Sequence, residues 1–252
     1  MNCTRALATL WLCAITSTAL NGCASEPASS TSTARPTNEA PIALVADKGE
    51  VLGFVFSRDR PGADEIRQQY FDGMSALAMP LGLRGLGRFD LPTALFGRHE
   101  ASILNLLALP SPEAAAALHA SADYQALSPK LAQGWTAMDV IEVELQEDLA
   151  LSIFPDRFYS VAKVWVSDAD THEAYVAAAG PTRAELGISI LAAFKPSKFR
   201  SLEPDRVAPY KVVLVEWPHR SVIEQYQQSP ALEAIRQTDG TAIADIEWYE
   251  VQ

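Results

Sequence analysis

The chain has 252 residues and a formal net charge of −11, with 48% hydrophobic and 20% charged residues. That length and composition suit a globular protein with a real core, as one large domain or two small ones. Only Arg5 of the 20 basic residues precedes Cys23, whereas all 31 acidic residues follow it. No basic stripe is left to neutralise phosphates, which argues against nucleic acid as a partner and against electrostatic adhesion to anionic lipid.

The first element is a targeting segment. Arg5 is followed by an uncharged run from Ala6 to Leu20, too short for a comfortable transmembrane span and suited to a signal-peptide core. The run ends in Leu20-Asn21-Gly22-Cys23, which resembles the bacterial lipobox, with Asn21 a less usual second residue. The resemblance implies a signal peptide over residues 1–22 and a lipid, diacylglycerol with palmitate-type chains, on Cys23. Ala24 in place of Asp implies outer-membrane sorting, on the periplasmic face. The alternative is an ordinary cleaved signal with a stray cysteine. The cysteines are Cys3, Cys13 and Cys23, so cleavage would leave one thiol, no internal disulfide and no cysteine-based metal site. Residues 23–48 begin rich in Ser, Thr, Pro and Ala without apolar period and read as a flexible tether.

Beyond the tether the sequence repeats itself. Tyr70 and Leu81-Gly82-Leu83 recur 105 positions later as Tyr175 and Leu186-Gly187-Ile188. Leu109-Pro110, Ser121 and Ala126-Leu127 recur 108 positions later as Trp217-Pro218, Ser229 and Ala234-Ile235. These offsets predict two copies, residues 49–147 and 157–252, joined by Asp148–Asp156. In the second copy, Phe158–Val166 reads as a strand, and Ser167-Asp168 caps a helix striped by Tyr175, Val176, Ala179 and Leu186. A short strand Ile188–Phe194, a breaker-rich loop Pro196–Pro204 and an apolar strand Tyr210–Trp217 follow. A helix from Arg220 and a last strand Ile243–Val251 complete the copy. Strand–helix–strand–strand–helix–strand is the ferredoxin-like order.

The stretch Val212-Val213-Leu214-Val215-Glu216-Trp217-Pro218, then Tyr226 and Ser229-Pro230-Ala231-Leu232, resembles the domain of unknown function 1330, within the dimeric α/β-barrel superfamily. The first copy is similar but weaker, with Ala108-Leu109-Pro110 at the strand end and Ser121-Ala122-Asp123-Tyr124 at the turn. The resemblance implies an α+β fold in which two tandem ferredoxin-like βαββαβ units face each other as an intramolecular barrel. No second chain would then be required for closure.

For chemistry, the sequence offers few motifs. The four histidines, His99, His119, His172 and His219, show no ligand-pair spacing, so no metal is expected. Related barrels that bind haem use an axial His, but nothing flanking His99 or His172 supports one here. There is no phosphate loop and no Gly-x-Ser-x-Gly elbow, and no cofactor is expected. Period two places Tyr159, Val161, Lys163 and Trp165 on one strand face, with Tyr210, Val212, Leu214 and Glu216 on another. With the two strands taken as parallel neighbours, Lys163 lies level with Glu216. A covered Lys and Glu would need each other, and Tyr159, Trp165 and Tyr210 would line the same pocket. Phe54, Phe56, Arg58 and Ala108 stand at the matching places of the first copy. Two roles follow: a non-catalytic envelope protein binding a small ligand or partner in its barrel, or a cofactor-independent monooxygenase or isomerase acting on a small aromatic substrate. The structural alternative is an ion pair at the barrel mouth with aromatic core filler.

Overall fold

The computed structural model describes residues 40–98, 100–230 and 243–252. The signal, Cys23 and most of the tether lie outside the described residues, as does His99. Twelve strands are described: β1 (Ile42–Ala46), β2 (Val51–Asp59), β3 (Arg84–Asp90), β4 (Ala94–Phe96), β5 (Ile103–Leu109), β6 (Trp135–Glu144), β7 (Leu149–Ile153), β8 (Phe158–Trp165), β9 (Ser189–Phe194), β10 (Lys198–Ser201), β11 (Lys211–Trp217) and β12 (Asp245–Val251). The described helices are α1 (Asp64–Ala78), α2 (Pro112–Ala120), α3 (Ala122–Gly134), α4 (Ala169–Ala178), α5 (Gly180–Glu185) and α6 (Ser221–Gln227).

Two sheets form the body, ordered β10-β6-β2-β5-β3 and β4-β12-β8-β11-β9. Without β10 and β4, each has the fourth–first–third–second strand order of a ferredoxin-like unit, antiparallel throughout. The outermost strands are exchanged. β4 follows β3 in sequence but pairs with β12, and β10 follows β9 but pairs with β6. The β6 edge of one unit and the β12 edge of the other are thus each covered by a strand from the other half of the chain, so neither is left unpaired.

The inner faces meet in an apolar core. Leu52, Phe54 and Phe56 of β2 alternate inward and are at most 1% exposed, joined by Leu104, Ile141, Val161, Val212 and Tyr249. Phe54 contacts Phe194 across the sheets at 5.2 Å between ring centroids, and Phe56 contacts Tyr249 at 6.0 Å.

The helices lie on the outer faces. Ser121 Oγ accepts from Tyr124 N at 3.1 Å and donates to the Leu118 carbonyl, so one serine closes α2 and opens α3. Where α1 passes α3, a Cβ on Gly73 would stand 2.8 Å from Leu127 Cδ2, so glycine sets the helix separation.

Two parts of the chain differ from the sequence reading. Ile42–Ala46, placed in the tether, and Leu149–Ile153, placed in the joining segment, pair with each other as an antiparallel ribbon. Leu44 and Ala46, each 1% exposed, turn into the core. The ribbon joins residues more than a hundred positions apart, which local composition does not reveal. Lys198–Ser201, inside the expected loop, is a strand because its partner is β6 of the other half.

Candidate functional site

The five residues expected to share a pocket do not do so. β8 and β11 are antiparallel, not parallel; Lys163 stands opposite Val212, and Glu216 opposite Tyr159. Lys163 and Glu216 therefore share a face but sit at opposite ends of the pairing. Glu216 bonds Arg157 at 2.7 Å, at a partly exposed position. Tyr159 is buried and its hydroxyl accepts from Phe154 N at 3.1 Å. Tyr210 precedes β11 and leaves the alternation. Its ring packs on His172 at 5.5 Å and its hydroxyl donates to Glu173.

Lys163 is instead the centre of a charge cluster between the sheets. It is 1% exposed and bonds Asp139 of β6 and, at 2.7 Å, Glu247 of β12. Arg206 also reaches both carboxylates and Glu203, while Trp165 lies under its guanidinium at 5.1 Å. Burial pushes the Glu247 carboxyl up, but Lys163, the Tyr249 hydroxyl and Arg206 outweigh it and hold it below the usual range. A polar cavity of about 320 Å³ adjoins the cluster, with Arg98, Thr136 and Ser201 on its wall. Every charge of the cluster has an opposite charge beside it, so its chemistry is cross-linking of the sheets.

The gap among Leu44, Phe89, Leu104, Ile153 and Leu214 measures about 10 Å³, no larger than a water site.

The larger cavities lie outside the barrel, between sheets and helices. One of about 450 Å³ sits on the outer face of the first sheet. Val51, Gly53, Val55, Asn105 and Leu107 form its floor, and Tyr70, Phe71 and Met74 of α1 form its roof. Helices α1, α2 and α3 pack together around Ala78, Leu118 and Tyr124, while Gly53, Val55, Asn105 and Leu107 farther along the sheet stay partly exposed. The floor is accessible because β2 carries glycine where a larger side chain would fill the space. At one wall Tyr70 and Phe71 pack edge-on against Trp135, with centroids 5.2 and 5.6 Å away.

The polar groups gather at another edge. His119 Nε2 bonds Glu142 Oε1 at 2.5 Å, and the imidazole packs edge-on against Tyr124 at 5.2 Å. Arg200 arrives on the exchanged strand β10, donates to the Tyr124 hydroxyl and lies 3.5 Å from Glu142. Burial raises the Glu142 pKa, but the His119 hydrogen bond and the charges of His119, Arg200 and Lys198 lower it further and keep the group ionised. Tyr70 is pushed well up by burial and by Tyr124, against a smaller opposing effect of Arg200, so its hydroxyl stays protonated. A neutral phenol, a carboxylate-held imidazole and a guanidinium facing an apolar floor can orient a flat molecule with a polar end.

The sequence reading missed this site because it followed the inner faces of the second half. The available signal was the outer face of β2, Val51-x-Gly53-x-Val55-x-Ser57, where a sheet covered by helices carries its smallest side chains.

A second cavity, about 490 Å³, lies on the outer face of the other sheet, lined by Tyr175, Lys211, Trp217 and Trp248. His172 lies there, buried, with its pKa lowered by burial and by Lys211. His219 contacts Ser221. Among the described residues no cluster of three potential metal ligands occurs, and no helix is long and apolar enough to cross a membrane.

Comparison with known proteins gives the fold a wider setting. An anthrone oxidase-like protein of known structure is 18% identical over 83% of this chain and 94% of its own, with a TM-score of 0.51. A mutant chlorite dismutase from Candidatus Nitrospira defluvii is 10% identical, over 82% and 93%, with a TM-score of 0.44. A putative monooxygenase from Lactobacillus acidophilus NCFM is 13% identical, over 81% and 94%, with a TM-score of 0.38. No curated protein matches the sequence. Residues 157–247 match the family described as "Domain of unknown function (DUF1330)", and the chain has a dimeric α/β-barrel-like fold.

Proposed function

We propose that this chain is a membrane-anchored envelope protein that binds a small apolar molecule in the helix-covered cavity of its first sheet. The carrying observation is the 450 Å³ space itself, of the size of small-ligand sites, floored by Gly53 and walled by Tyr70 and Trp135. The test fills it. A Cβ on Gly53 would meet only Leu107, at 3.7 and 3.9 Å, and the position needs no left-handed backbone. Gly53→Leu is therefore expected to fold normally and to lose one site for the neutral dye N-phenyl-1-naphthylamine. Unchanged dye stoichiometry in a folded Gly53→Leu protein would overturn the reading.

A second reading, a cofactor-independent monooxygenase or isomerase acting on a small aromatic substrate, is favoured by one observation. The His119–Glu142 pair and the neutral Tyr70 hydroxyl line the same cavity, which supplies a base and a hydrogen-bond donor to orient the substrate. Turnover lost in His119→Gln while dye binding persists would support it. Turnover unaffected by that change would remove it.

Anchoring rests on Leu20-Asn21-Gly22-Cys23 and the uncharged run before it. Labelling of the full chain by radioactive palmitate in a bacterial host, lost in Cys23→Ser, is the expected outcome; labelling that survives would refute it. We also attribute the two halves, 49–147 and 157–252, to duplication of one unit, a reading supported by the matching strand orders of the two sheets.

A further inference from the structure

The geometry points to an acid-selective site: we infer that the first-sheet cavity takes a flat apolar molecule ending in a carboxylate or sulfonate, read by Arg200. This rests on the cavity-binding reading above and adds the chemical class of its ligand.

Arg200 comes from the other half of the chain. On β10 it stands opposite Val140 while Phe199 stands opposite Ile141. Ile141 is buried in the barrel core and Val140 lines the cavity, so alternation sends Phe199 inward and Arg200 to the cavity side. The guanidinium has five donors. One is spent on the Tyr124 hydroxyl, and a second lies at a loose 3.5 Å from Glu142. The side chain is 44% exposed, whereas that of Glu142 is 8% exposed and Glu142 Oε1 is already engaged by His119. The Tyr124 hydroxyl accepts from Arg200, so its own proton is free to be donated.

The other charges on the lining agree. Arg88 is 61% exposed and lies 3.6 Å from Asp90. Asp59, the second acid on the lining, is 41% exposed and faces Arg67 at 3.4 Å, but it stands opposite Trp135, at the far end of β2 from Gly53 and Glu142. At the Glu142 edge the accessible, loosely held charge is therefore the cation Arg200, in a chain whose net charge is −11. An incoming anion meets planar donors at one edge and an aromatic wall beyond them. At that edge a cationic ligand would have to displace His119 and Arg200 from a buried carboxylate.

Two dyes with one skeleton separate charge from shape: 1-anilinonaphthalene-8-sulfonate carries the acid, and N-phenyl-1-naphthylamine does not. The full chain is expected to bind both. Arg200→Met should weaken the sulfonate by about tenfold or more, the worth of a charge-assisted hydrogen bond. The neutral dye should change less than about twofold, and Arg200→Lys should restore part of the loss. Gly53→Leu should remove both dyes from this site. Loss of both dyes in Gly53→Leu, with no change of their ratio in Arg200→Met, would overturn acid selectivity and leave the cavity reading standing. Dye binding that ignores Gly53→Leu would overturn both.

Discussion

Lys163→Met isolates the energetics of the cluster between the sheets. Lys163 is 1% exposed, and its two carboxylate partners, Asp139 and Glu247, come from different sheets. Removing the lysine leaves two buried carboxylates with Arg206 as their closest cation. Losing one partner of a buried ion pair costs about 3–5 kcal/mol. With a urea m-value of about 2–3 kcal/mol per molar, the midpoint should fall by roughly 1–2.5 M. Tryptophan fluorescence reports it, because Trp165 packs on Arg206. Methionine keeps the side chain out to Cε and removes only the ammonium, so the loss is mainly electrostatic rather than a cavity.

Its pH dependence fixes the cause. In the native chain the Glu247 pKa is lowered, so its contribution is present above the ordinary carboxylate pKa and is lost as pH falls through the folded value. Without Lys163 the upward push of burial meets less opposition. The folded pKa rises, and protonation relieves the unpaired charge. The deficit of the variant should therefore shrink between pH 7 and about pH 4.5. Lys163→Met with Asp139→Leu leaves Glu247 with Arg206 and should recover most of the loss. A loss below about 1 kcal/mol at pH 7, or one equally large at pH 4.5, would refute the argument.

Other outcomes follow from single contacts. Ser160 Oγ accepts from both Trp217 Nε1, at 2.7 Å, and Trp248 Nε1, at 2.8 Å. Ser160→Ala strands both indole donors and should cost about 2–4 kcal/mol, read by urea titration; a loss within error would show that water replaces the hydroxyl. Glu216→Gln removes a contact to Arg157 at the rim, so its urea midpoint should match the parent. A shift comparable to that of Lys163→Met would mean that Glu216, not Asp139, faces the lysine.

Much of the architecture was legible because it is written in periods. The alternation of β8 placed Lys163 and Tyr159 on the covered face, and all of Tyr159–Trp165 proved buried. Orientation was legible but misassigned, because the predicted strand–helix–strand–strand order already makes the first and third strands antiparallel neighbours. Taking β8 and β11 as parallel put Lys163 level with Glu216, whereas the antiparallel pairing separates them by four positions. The true partners come from strands that alternation in β8 cannot address: Asp139 lies across the interior on β6, and Glu247 lies on β12. β1 and β7 escaped for a related reason, since each is short and completed by a strand remote in sequence. The cavity is a property of what is absent from a face. Gly53 reads as a weak strand residue until the helices above it are in place.

The exchange of β4 and β10 has a consequence for mass action. Where two separate chains supply the two sheets, dilution dissolves the barrel. Here the partner sheet is covalently present, and its effective concentration is set by the connection from β6 through β7 to β8. Closure is unimolecular, and the melting temperature of the folded unit should not change with protein concentration. The same exchange makes the half carrying the matched domain incomplete when excised. Residues 157–252 alone would leave β12 unpaired along the edge that β4 covers, and an exposed edge is a template for aggregation. Arg200 would also depart with that half, so the first cavity loses its cation whenever the two halves are parted.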